Sequence, residues 1–588
     1  MYTLAKEGEY VSAFAVRDTK ILATGSDEDI RRIPAKEIID LQGKTVLPGF
    51  IETHCHMADF AEDLAKVNLE SARCIDDIVN LLKAQLENTP SDGWITGYQA
   101  NLLLLKEQRL PNRYDLDRVS TEIPVFISSI DKHNFIVNSK ALALSKIDER
   151  FLGAPEAKFL EFDANGKVTG RLKEHGMLHY INNIKPSVFN NDASMLAYLE
   201  TSLKDFAAKG YTTVHSFGGF NQSALEQPKA YQKLEATGRL PLRIILNNEP
   251  GVNRPELLTS GFGTEKVKYG AVKFFIDGSL MQWSAYLKDD YSDKPGYRGL
   301  LVKNQEELAE AINEAYDNGN DIAAHAIGDG AIDVFLDIVE KIKAADTSWD
   351  YSKSSSYSYF KEATGDNTSV TNGMLYELIK HEADEATGDN TSVTSSHTYS
   401  QHACNHHTYS HHTCNHQQLF RLIHCTLSRP DQWERIAKLG VIIDSQPVFI
   451  PLVATLGRQR LGNKRANHML AFRSWIDKGI IVTAGDDAPI CDHNPFVGIR
   501  SAVLREDGFN GEQLNAKERV SVYEAIQMYT VNAAICSHEQ DSKGCIQPGK
   551  LADFIVIDKD VFQIPAKDIS NTKVLATYLG GVLQEVRP

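Results

Sequence analysis

Residues 47–56 read LPGFIETHCH, a short apolar stretch that ends in two histidines separated by one residue. The apolar part predicts a β-strand, and side chains along a strand alternate between its two faces. His54 and His56 then point to one side and Cys55 points to the other. Two imidazoles one pleat apart can bind a single metal ion, so this strand end predicts a metal site.

Outward from this strand, the chain alternates between short apolar strands and helical patterns such as Gln305–Asp317, Ala331–Lys343 and Asp431–Lys438. Alternating strands and helices predict a parallel sheet, and eight such units predict an α/β fold of the TIM-like (β/α)8 barrel type. The eight predicted strands are Thr45–Phe50, Thr212–Ser216, Leu242–Leu246, Ala271–Ile276, Asp321–His325, Leu419–His424, Val441–Ser445 and Ile480–Ala484.

Functional groups of such a barrel gather at the carboxyl ends of its strands. Besides the first histidine pair, strand four contains Lys273, strands five and six end in His325 and His424, and strand eight ends in Asp487. An isolated histidine at a strand end is more often structural. Four histidines, one lysine and one aspartate on five strands of one barrel are hard to obtain by chance. The pattern predicts a metal centre at this mouth.

Lys273 lies among apolar neighbours, within the segment AVKFFIDG. If it points into the barrel, a protonated ammonium group would be costly there. It could lose its proton, pair with Asp277, or react with CO2 to give a carbamate. A carbamate is an anionic, bidentate oxygen ligand that could bridge two metal ions, and this is the state that we expect.

Two further regions flank or interrupt the barrel pattern. Residues 1–45 and 536–588 have β-like patterns and are predicted to form a small β-sandwich domain from both chain ends, beside a barrel domain at 46–535. Residues 60–205 form a long insertion after strand one, with strands of their own near Trp94–Gly97 and Val125–Ser129.

Residues 346–418 differ in composition from the rest of the chain. The decapeptide EATGDNTSVT occurs twice, at 362–371 and 385–394, and residues 397–416 contain seven histidines and two cysteines. Their spacing is not that of a zinc finger, and the segment lies in a helix-to-strand connection, opposite the catalytic mouth. We expect a mobile low-complexity His-rich insertion; an accessory metal-chelating loop and an artefact of gene prediction or duplication remain alternatives.

The charge balance narrows the partners. The chain has 588 residues, with 62 Lys and Arg against 78 Asp and Glu, so its net charge is −16. Such a surface repels nucleic acid and anionic membranes. Eight cysteines are too few for a disulfide scaffold, and neither a signal peptide nor a membrane span is recognisable. We expect a cytoplasmic enzyme that acts on a small molecule; a homodimer is one assembly to consider.

Several ordered segments resemble the motifs of amidohydrolase family 3, a branch of the metal-dependent amidohydrolase superfamily that includes N-substituted formamide deformylase. They are LPGFIETHCH (47–56), PVFISSIDKHNFIVNSKAL (124–142), YGAVKFFIDGSL (269–280), IAAHAIGDGAID (322–333), AGDDAPICDHNPFVGI (484–499), YTVNAA (529–534) and GCIQPGKLADFIVIDKD (544–560). The resemblance implies one or two divalent metal ions, zinc being our expectation. By the same resemblance the metal ligands are His54, His56, His325, His424 and a carbamate on Lys273, and Asp487 is the catalytic acid/base.

The substrate-binding residues are less well specified. By resemblance, the insertion after strand one brings His133 and Asn138 toward the substrate. Trp283 and Arg298, which follow strand four, are further candidates, although a packed aromatic ring and a surface salt bridge explain them equally well.

Two positions depart from the family pattern. Ile423 stands where a glutamate usually precedes the sixth-strand histidine, which removes a probable partner of that ligand. Asp486 replaces the usual serine before Asp487, and strand alternation predicts that it faces away from the site.

The predicted reaction is hydrolysis of a non-peptide C–N bond, in an amide, N-formyl or N-acyl compound. A metal lowers the pKa of a bound water to near 7, so hydroxide would attack at neutral pH while Asp487 moves the proton. A deaminase or cyclic amidase of the same superfamily, or a catalytically silent metal-binding barrel, remain alternatives.

Overall fold

The computed structural model describes residues 1–173, 178–186, 192–218, 227–250, 258–346, 417–508 and 510–586. The His-rich segment 346–418 therefore lies outside the described residues except at its two ends, and the expectations for it stay predictions. Within the described ranges, no helix is long and apolar enough to cross a membrane.

The described strands, numbered β1 to β21 along the chain, form five sheets. Two of these sheets are entirely parallel and together carry the candidate site. The first has the order β13-β12-β11-β4 and consists of β4 (Phe50–Cys55), β11 (Tyr211–Phe217), β12 (Arg243–Asn247) and β13 (Val267–Tyr269). The second has the order β14 to β18 and consists of β14 (Val272–Phe275), β15 (Ile322–Ala326), β16 (Phe420–His424), β17 (Ile442–Ser445) and β18 (Val482–Ala484).

The two parallel sheets approach each other at two places. At one, the Lys273 N–H donates to the Asn248 carbonyl at 3.0 Å, which joins β14 to the end of β12. At the other, the Asp487 N–H donates to the His54 carbonyl at 2.8 Å, which joins the end of β18 to β4. Gly485 permits this second approach, because a Cβ there would lie 2.7 Å from the His54 nitrogen.

The first predicted barrel strand is wrong in its bounds. Thr45–Pro48 forms β3, which pairs with a strand from the C-terminus, and the parallel strand begins only at Phe50. The apolar run is continuous in sequence, so hydrophobicity alone could not reveal that two sheets share it. Strand β13 was not predicted. It pairs with β12, whereas β14 pairs with β15, and only Gly270 and Ala271 separate the two strands. Together they stand where a single fourth barrel strand was predicted.

The remaining three sheets are antiparallel or mixed. The N-terminal hairpin pairs β1 (Ala13–Arg17) with β2 (Lys20–Gly25). A terminal sheet has the order β21-β20-β19-β3 and consists of β3, β19 (Phe554–Ile557), β20 (Val574–Leu579) and β21 (Val582–Val586). Between β4 and β11 lies a six-stranded sheet of order β5-β6-β7-β8-β10-β9, made of β5 (Val67–Asn68), β6 (Ile95–Ala100), β7 (Val125–Ser129), β8 (Asn134–Val137), β9 (Leu160–Phe162) and β10 (Val168–Lys173).

Helices cover the parallel strands, and their ends follow local sequence signals. Asn304 begins the helix Gln305–Asp317 by accepting from the Glu307 N–H at 2.8 Å, and Gly440 ends the helix Pro430–Leu439 in a left-handed conformation. The described helices, α1 to α16 in chain order, are Asp27–Ile30, Met57–Asp63, Ile75–Lys83, Arg113–Asp117, Ser139–Ser145, Leu178–Asn182, Asp192–Ala208, Gln227–Ala236, Gln305–Asp317, Asp329–Ala345, Pro430–Leu439, Ile450–Ala466, Phe472–Asp477, Pro495–Leu504, Val522–Met528 and Val531–Ile535.

Candidate metal centre

The end of β4 brings the two sequence-predicted histidines beside the predicted acid. The Nε2 atoms of His54 and His56 lie 3.4 and 3.5 Å from Asp487 Oδ1, and all three side chains are buried. Cys55 points the other way, where its thiol contacts the His215 carbonyl, as strand alternation predicts. These three groups are close enough to share one metal ion.

The histidines of β15 and β16 lie beside this group. The ring centroids of His325 and His424 are 4.5 Å apart, and the His424 ring lies 5.3 Å from that of His54. His424 has a positive φ of 68°, a conformation that non-glycine residues rarely adopt and that costs energy. The positive φ matters because Ile423, the preceding residue, packs with Phe217. In a regular strand, His424 would point to the opposite side from Ile423 and so away from the site.

Each of these two histidines has an oxygen partner on one ring nitrogen. The Nδ1 atom of His424 lies 2.6 Å from Gln446 Oε1, and because an amide oxygen only accepts, Nδ1 carries the proton and Nε2 is left for a metal. His325 Nε2 lies 3.3 Å from the Gly278 carbonyl and 3.7 Å from Asp277 Oδ1. Gln446 thus provides a partner of the kind that Ile423 cannot provide.

Lys273 lies in the same interior, and two aromatic rings flank its amine. Its Nζ is 4.9 Å from the ring centroids of both Phe217 and Phe275, and it makes no hydrogen bond within the described residues. Burial lowers the pKa of Lys273 to about 7, although Asp487 and Asp444 oppose the shift. The lowered pKa favours the neutral amine, and the ion pair with Asp277, the alternative to a carbamate, is not formed.

Asp487 and Asp486 are adjacent in sequence but face opposite sides. Asp486 accepts from the hydroxyl of Tyr529 at 2.7 Å and from that of Tyr211, so the prediction that it faces away from the site is confirmed. Asp487 has a φ of 54° and points toward the histidines. Burial raises the pKa of Asp487 to about 7, against the opposing effect of Lys273.

The donor set fits a divalent metal ion. Three buried atoms of the cluster, His54 Nδ1, Lys273 Nζ and Asp487 Oδ1, have no hydrogen-bond partner among the described residues, which is costly for polar atoms without a ligand. Burial lowers the pKa of His54, His325 and His424 well below the usual value, and nearby Lys273 and histidine side chains lower it further. The imidazoles are therefore neutral, the form that binds metal.

The four predicted substrate-binding residues have different surroundings. The His133 ring lies 5.7 Å from that of His325, so His133 is at the site. Asn138 is not available to a substrate, because its Oδ1 accepts from the Val125 and Ala141 N–H groups and its Nδ2 donates to two carbonyl oxygens. Its amide holds the turn into the helix that follows β8.

Trp283 and Arg298 belong to the loop that follows β14. Trp283 is half-buried, with its Nε1 donating to Asp293 at 3.0 Å and the Arg460 guanidinium 3.5 Å above its ring, so it packs within this loop. Arg298 is exposed and donates to the Lys288 carbonyl at 3.2 Å. Neither contact joins these residues to the cluster. The structure therefore favours the packed-ring alternative for Trp283, whereas Arg298 is a surface residue bonded to a backbone carbonyl and not to a carboxylate.

Sequence reasoning missed a buried charge pair below the cluster. Arg421 on β16 is completely buried and forms an ion pair with Asp444 on β17, and it also donates to the Thr53 carbonyl at 2.8 Å. Asp444 further accepts from the hydroxyls of Thr53 at 2.6 Å and Thr483 at 3.1 Å. The charged residues within otherwise apolar strands were the available signal.

The chain is similar to known proteins along nearly its whole length and theirs. It is 29% identical to the Bacillus subtilis (strain 168) protein YtcJ, over 99% of this chain and 97% of that protein. It is 24% identical to N-substituted formamide deformylase of Arthrobacter pascens, over 100% of this chain and 97% of that protein.

Solved structures agree with the architecture. An uncharacterized metal-dependent hydrolase from Pyrococcus furiosus superimposes with a TM-score of 0.66 at 25% identity, covering 96% of this chain and 98% of that one. One from Pyrococcus horikoshii OT3 has a TM-score of 0.68 at 24% identity, covering 96% and 97%.

A family model supplies the assignment. The model described as "Amidohydrolase family" matches residues 37–357 and 398–583, most of the chain, and the unmatched gap between the two parts is 358–397. The family predicted from the ordered motifs is thereby confirmed, and the chain belongs to the amidohydrolase family.

Proposed function

We propose that the protein is a metal-dependent hydrolase that cleaves a non-peptide C–N bond in an amide, N-formyl or N-acyl compound. The observation that carries the proposal is the convergence of His54, His56, His325, His424, Lys273 and Asp487. They come from strands of the two parallel sheets or from residues directly after them, and they are buried together. Three of their polar atoms, His54 Nδ1, Lys273 Nζ and Asp487 Oδ1, have no hydrogen-bond partner among the described residues, which a purely structural cluster would not leave.

The arrangement of the sheets supports a barrel. We infer that β4 and β11 to β18 close into one (β/α)8-type barrel, since hydrogen bonds join the two parallel sheets at both approaches. The N-terminal hairpin and the terminal sheet would form the β-sandwich beside it. In a barrel of this type, ligands bind at the carboxyl ends of the strands, which is where the cluster lies.

The proposed metal ligands divide between the two sheets. His54 and His56 would hold one ion and His325 and His424 a second, with Lys273 between them. A neutral Lys273 amine is the form that reacts with CO2, which would give the anionic oxygen ligand expected for a bridging position. When bound, divalent ions such as zinc would polarise a carbonyl oxygen and lower the pKa of water to near 7.

Asp487 is suited to moving the proton. Burial raises the pKa of its carboxyl group above the usual value and so toward neutral pH, which suits a group that must both take up and release a proton. It would accept a proton from the attacking water and donate it to the leaving nitrogen, while the neighbouring His133 contacts the substrate.

The substrate class rests partly on the relatives. N-substituted formamide deformylase, by its name, removes formyl groups, and this supports a small N-formyl or N-acyl amide as the substrate here. The net charge of −16 supports a small-molecule partner over nucleic acid or an anionic membrane.

Metal analysis combined with a screen of N-formyl and N-acetyl amines tests the proposal. We expect the wild-type protein to contain one or two zinc ions per chain and to release formate or acetate. The His54→Ala/His56→Ala variant should lose this zinc. Release of ammonia or of a ring-opened acid would indicate a deaminase or a cyclic amidase instead. Unchanged metal content in the double variant would contradict the proposed centre.

A further inference from the structure

A short connection in the insertion after β4 carries His133 to the metal centre. We define the His133 loop as residues 129–134, from the last residue of β7 to the first of β8. Its backbone is held internally by Ser129, whose hydroxyl donates to Asp131 Oδ1 at 2.5 Å and accepts from the Asn134 N–H at 3.1 Å. The His133 N–H also donates to Asp131 Oδ1, at 3.2 Å.

One external contact of this loop is a buried ion pair. Lys132 has a left-handed backbone with φ of 53°, and its Nζ lies 2.7 Å from Asp63 Oδ2. The lysine side chain is 8% exposed and that of Asp63 is 3% exposed. Surface ion pairs contribute little, whereas a buried pair is strongly destabilised when one partner is removed.

The ion pair connects the loop to the metal centre by a short helix. Asp63 is the last residue of α2 (Met57–Asp63), and this helix begins directly after His56. His56 is one of the histidines that lie beside Asp487. Helix α2 therefore connects the proposed metal ligand His56 with Asp63, which holds Lys132. The position of His133, the neighbour of Lys132, depends on this connection.

A second external contact ties the loop to the other parallel sheet. Asp131 Oδ2 accepts from the Ser279 hydroxyl at 3.2 Å and from Gln282 Nε2 at 3.3 Å. Both donors lie in the chain that leaves β14, the strand of Lys273. The two residues directly before His133 thus fix the loop on two sides, Lys132 to the helix that follows β4 and Asp131 to the chain that follows β14.

We propose that the Lys132–Asp63 ion pair, assisted by Asp131, positions the His133 imidazole over the metal centre for contact with the substrate. This rests on the proposed function. Lys132, Asp63 and Asp131 are positioning residues, because they act on His133 through contacts with other side chains of the protein. Displacing a substrate-contacting group by about 1 Å can cost about 100-fold in rate, so a fixed loop has a kinetic consequence.

The structure offers a matched control for the ion pair. Asp63 binds two ammonium groups, that of Lys132 at 2.7 Å and that of Lys66 at 2.9 Å. Lys132→Met and Lys66→Met each remove one of them and leave the other. Only Lys132 belongs to the His133 loop, because Lys66 follows α2 and pairs also with Glu62 at 3.0 Å.

The test measures both variants with the amide identified in the screen. We expect Lys132→Met to lower kcat/KM about 10- to 100-fold with unchanged zinc content, Lys66→Met to stay within about threefold, and Lys132→Arg to recover much of the loss. In a His133→Ala background, Lys132→Met should have little further effect, because the positioned group is gone. Equal losses in both lysine variants, or an undiminished loss in the His133→Ala background, would overturn the proposal.

A second readout separates this proposal from the proposed function. Hydrogen–deuterium exchange of the full-length protein should show faster exchange over residues 129–137 in Lys132→Met and wild-type exchange there in Lys66→Met. If no amide is turned over, the proposed function fails, and the exchange result alone decides whether the ion pair holds the loop. Identical exchange in the two variants would overturn the positioning role.

Discussion

The two ends of the parallel strands treat buried charge in opposite ways. At the amino ends, ionisable side chains are paired with a partner of opposite charge; examples are Arg243 with Asp553 at 2.7 Å, Lys543 with Glu539 at 2.8 Å and His538 with Asp321 at 3.1 Å. At the carboxyl ends, His54 Nδ1, Lys273 Nζ and Asp487 Oδ1 have no hydrogen-bond partner among the described residues. The amino ends satisfy their charges within the protein, and the carboxyl ends leave polar atoms available to a metal ion or substrate.

This difference teaches where stability and function are separable. A paired buried charge contributes to stability only while its partner is present, so a substitution at the amino ends should act on unfolding. An unpaired buried group costs stability and is retained where a ligand will satisfy it. Substitutions at the carboxyl ends should therefore act on metal binding and turnover.

The largest effect should come from the two adjacent acids after β18. Asp487→Asn should lower kcat/KM by about a thousandfold or more, because the amide cannot take and return a proton. Asp486→Asn is the control: its side chain faces Tyr211 and Tyr529, so we expect nearly unchanged turnover and a lower melting temperature. Comparable loss of activity in both variants would contradict a catalytic role for Asp487 and a purely structural role for Asp486.

The next effect concerns the amino ends. Arg243→Met removes the guanidinium that binds Asp553 through two nitrogens, at 2.7 and 3.1 Å, and leaves a buried carboxylate with less compensation. We expect a loss of about 3–5 kcal/mol in the free energy of unfolding, measured by urea denaturation, with nearly normal turnover of the folded protein. Arg243→Lys should lose less, since the charge remains. A stable but inactive Arg243→Met protein would contradict the comparison.

A smaller effect should separate metal binding from catalysis. Gln446→Leu removes the oxygen that accepts from His424 Nδ1, and such partners typically change metal affinity by 10- to 100-fold. We expect weaker zinc binding in competition with a chelator, and recovery of activity when zinc is in excess. Gln446→Glu keeps an acceptor and should bind zinc nearly as well as wild type. Equal zinc affinity in Gln446→Leu would remove this residue from the centre.

Sequence patterns predicted most of the parallel strands and the cluster they carry. The helix Gln305–Asp317 and the strand Val125–Ser129 occur with the predicted bounds, because helical periodicity and apolar runs report local burial directly. Asp487 was found because it follows the end of an apolar strand, and Lys273 because it is a charged residue within one. What a local pattern cannot contain is which sheet a strand joins, and so Thr45–Pro48 was assigned to the wrong one.

Partners distant in sequence were also beyond the pattern. Gln446 lies on the strand after His424, and its role depends on the left-handed turn at His424, which no motif encodes. Asn138 was named by resemblance and Arg298 because it follows strand four. Only the structure shows that the amide of Asn138 is fully used and that Arg298 is exposed. The Lys132–Asp63 pair joins residues 69 apart.

The smallest effect is a pH dependence at the amino ends. Burial lowers the pKa of His538, but the Asp321 carboxylate, 3.1 Å away, outweighs it, so the pKa is raised above the unfolded value of about 6.5. The folded state then holds this proton more tightly than the unfolded chain. The resulting stabilisation is complete below about pH 6.5 and is lost as the pH rises through the raised pKa of the folded state.

His538→Gln should accordingly flatten the fall in the free energy of unfolding as the pH rises above about 6.5, and Asp321→Asn should flatten it in the same way. Urea denaturation at several pH values measures both. Because His538 lies at the amino ends, the pH dependence of kcat, which we propose to depend on Asp487, should be unaffected in His538→Gln. A shift of the kcat profile in this variant would mean that the two ends are coupled through the strands, and that paired and unpaired charges do not divide stability from function as their positions suggest.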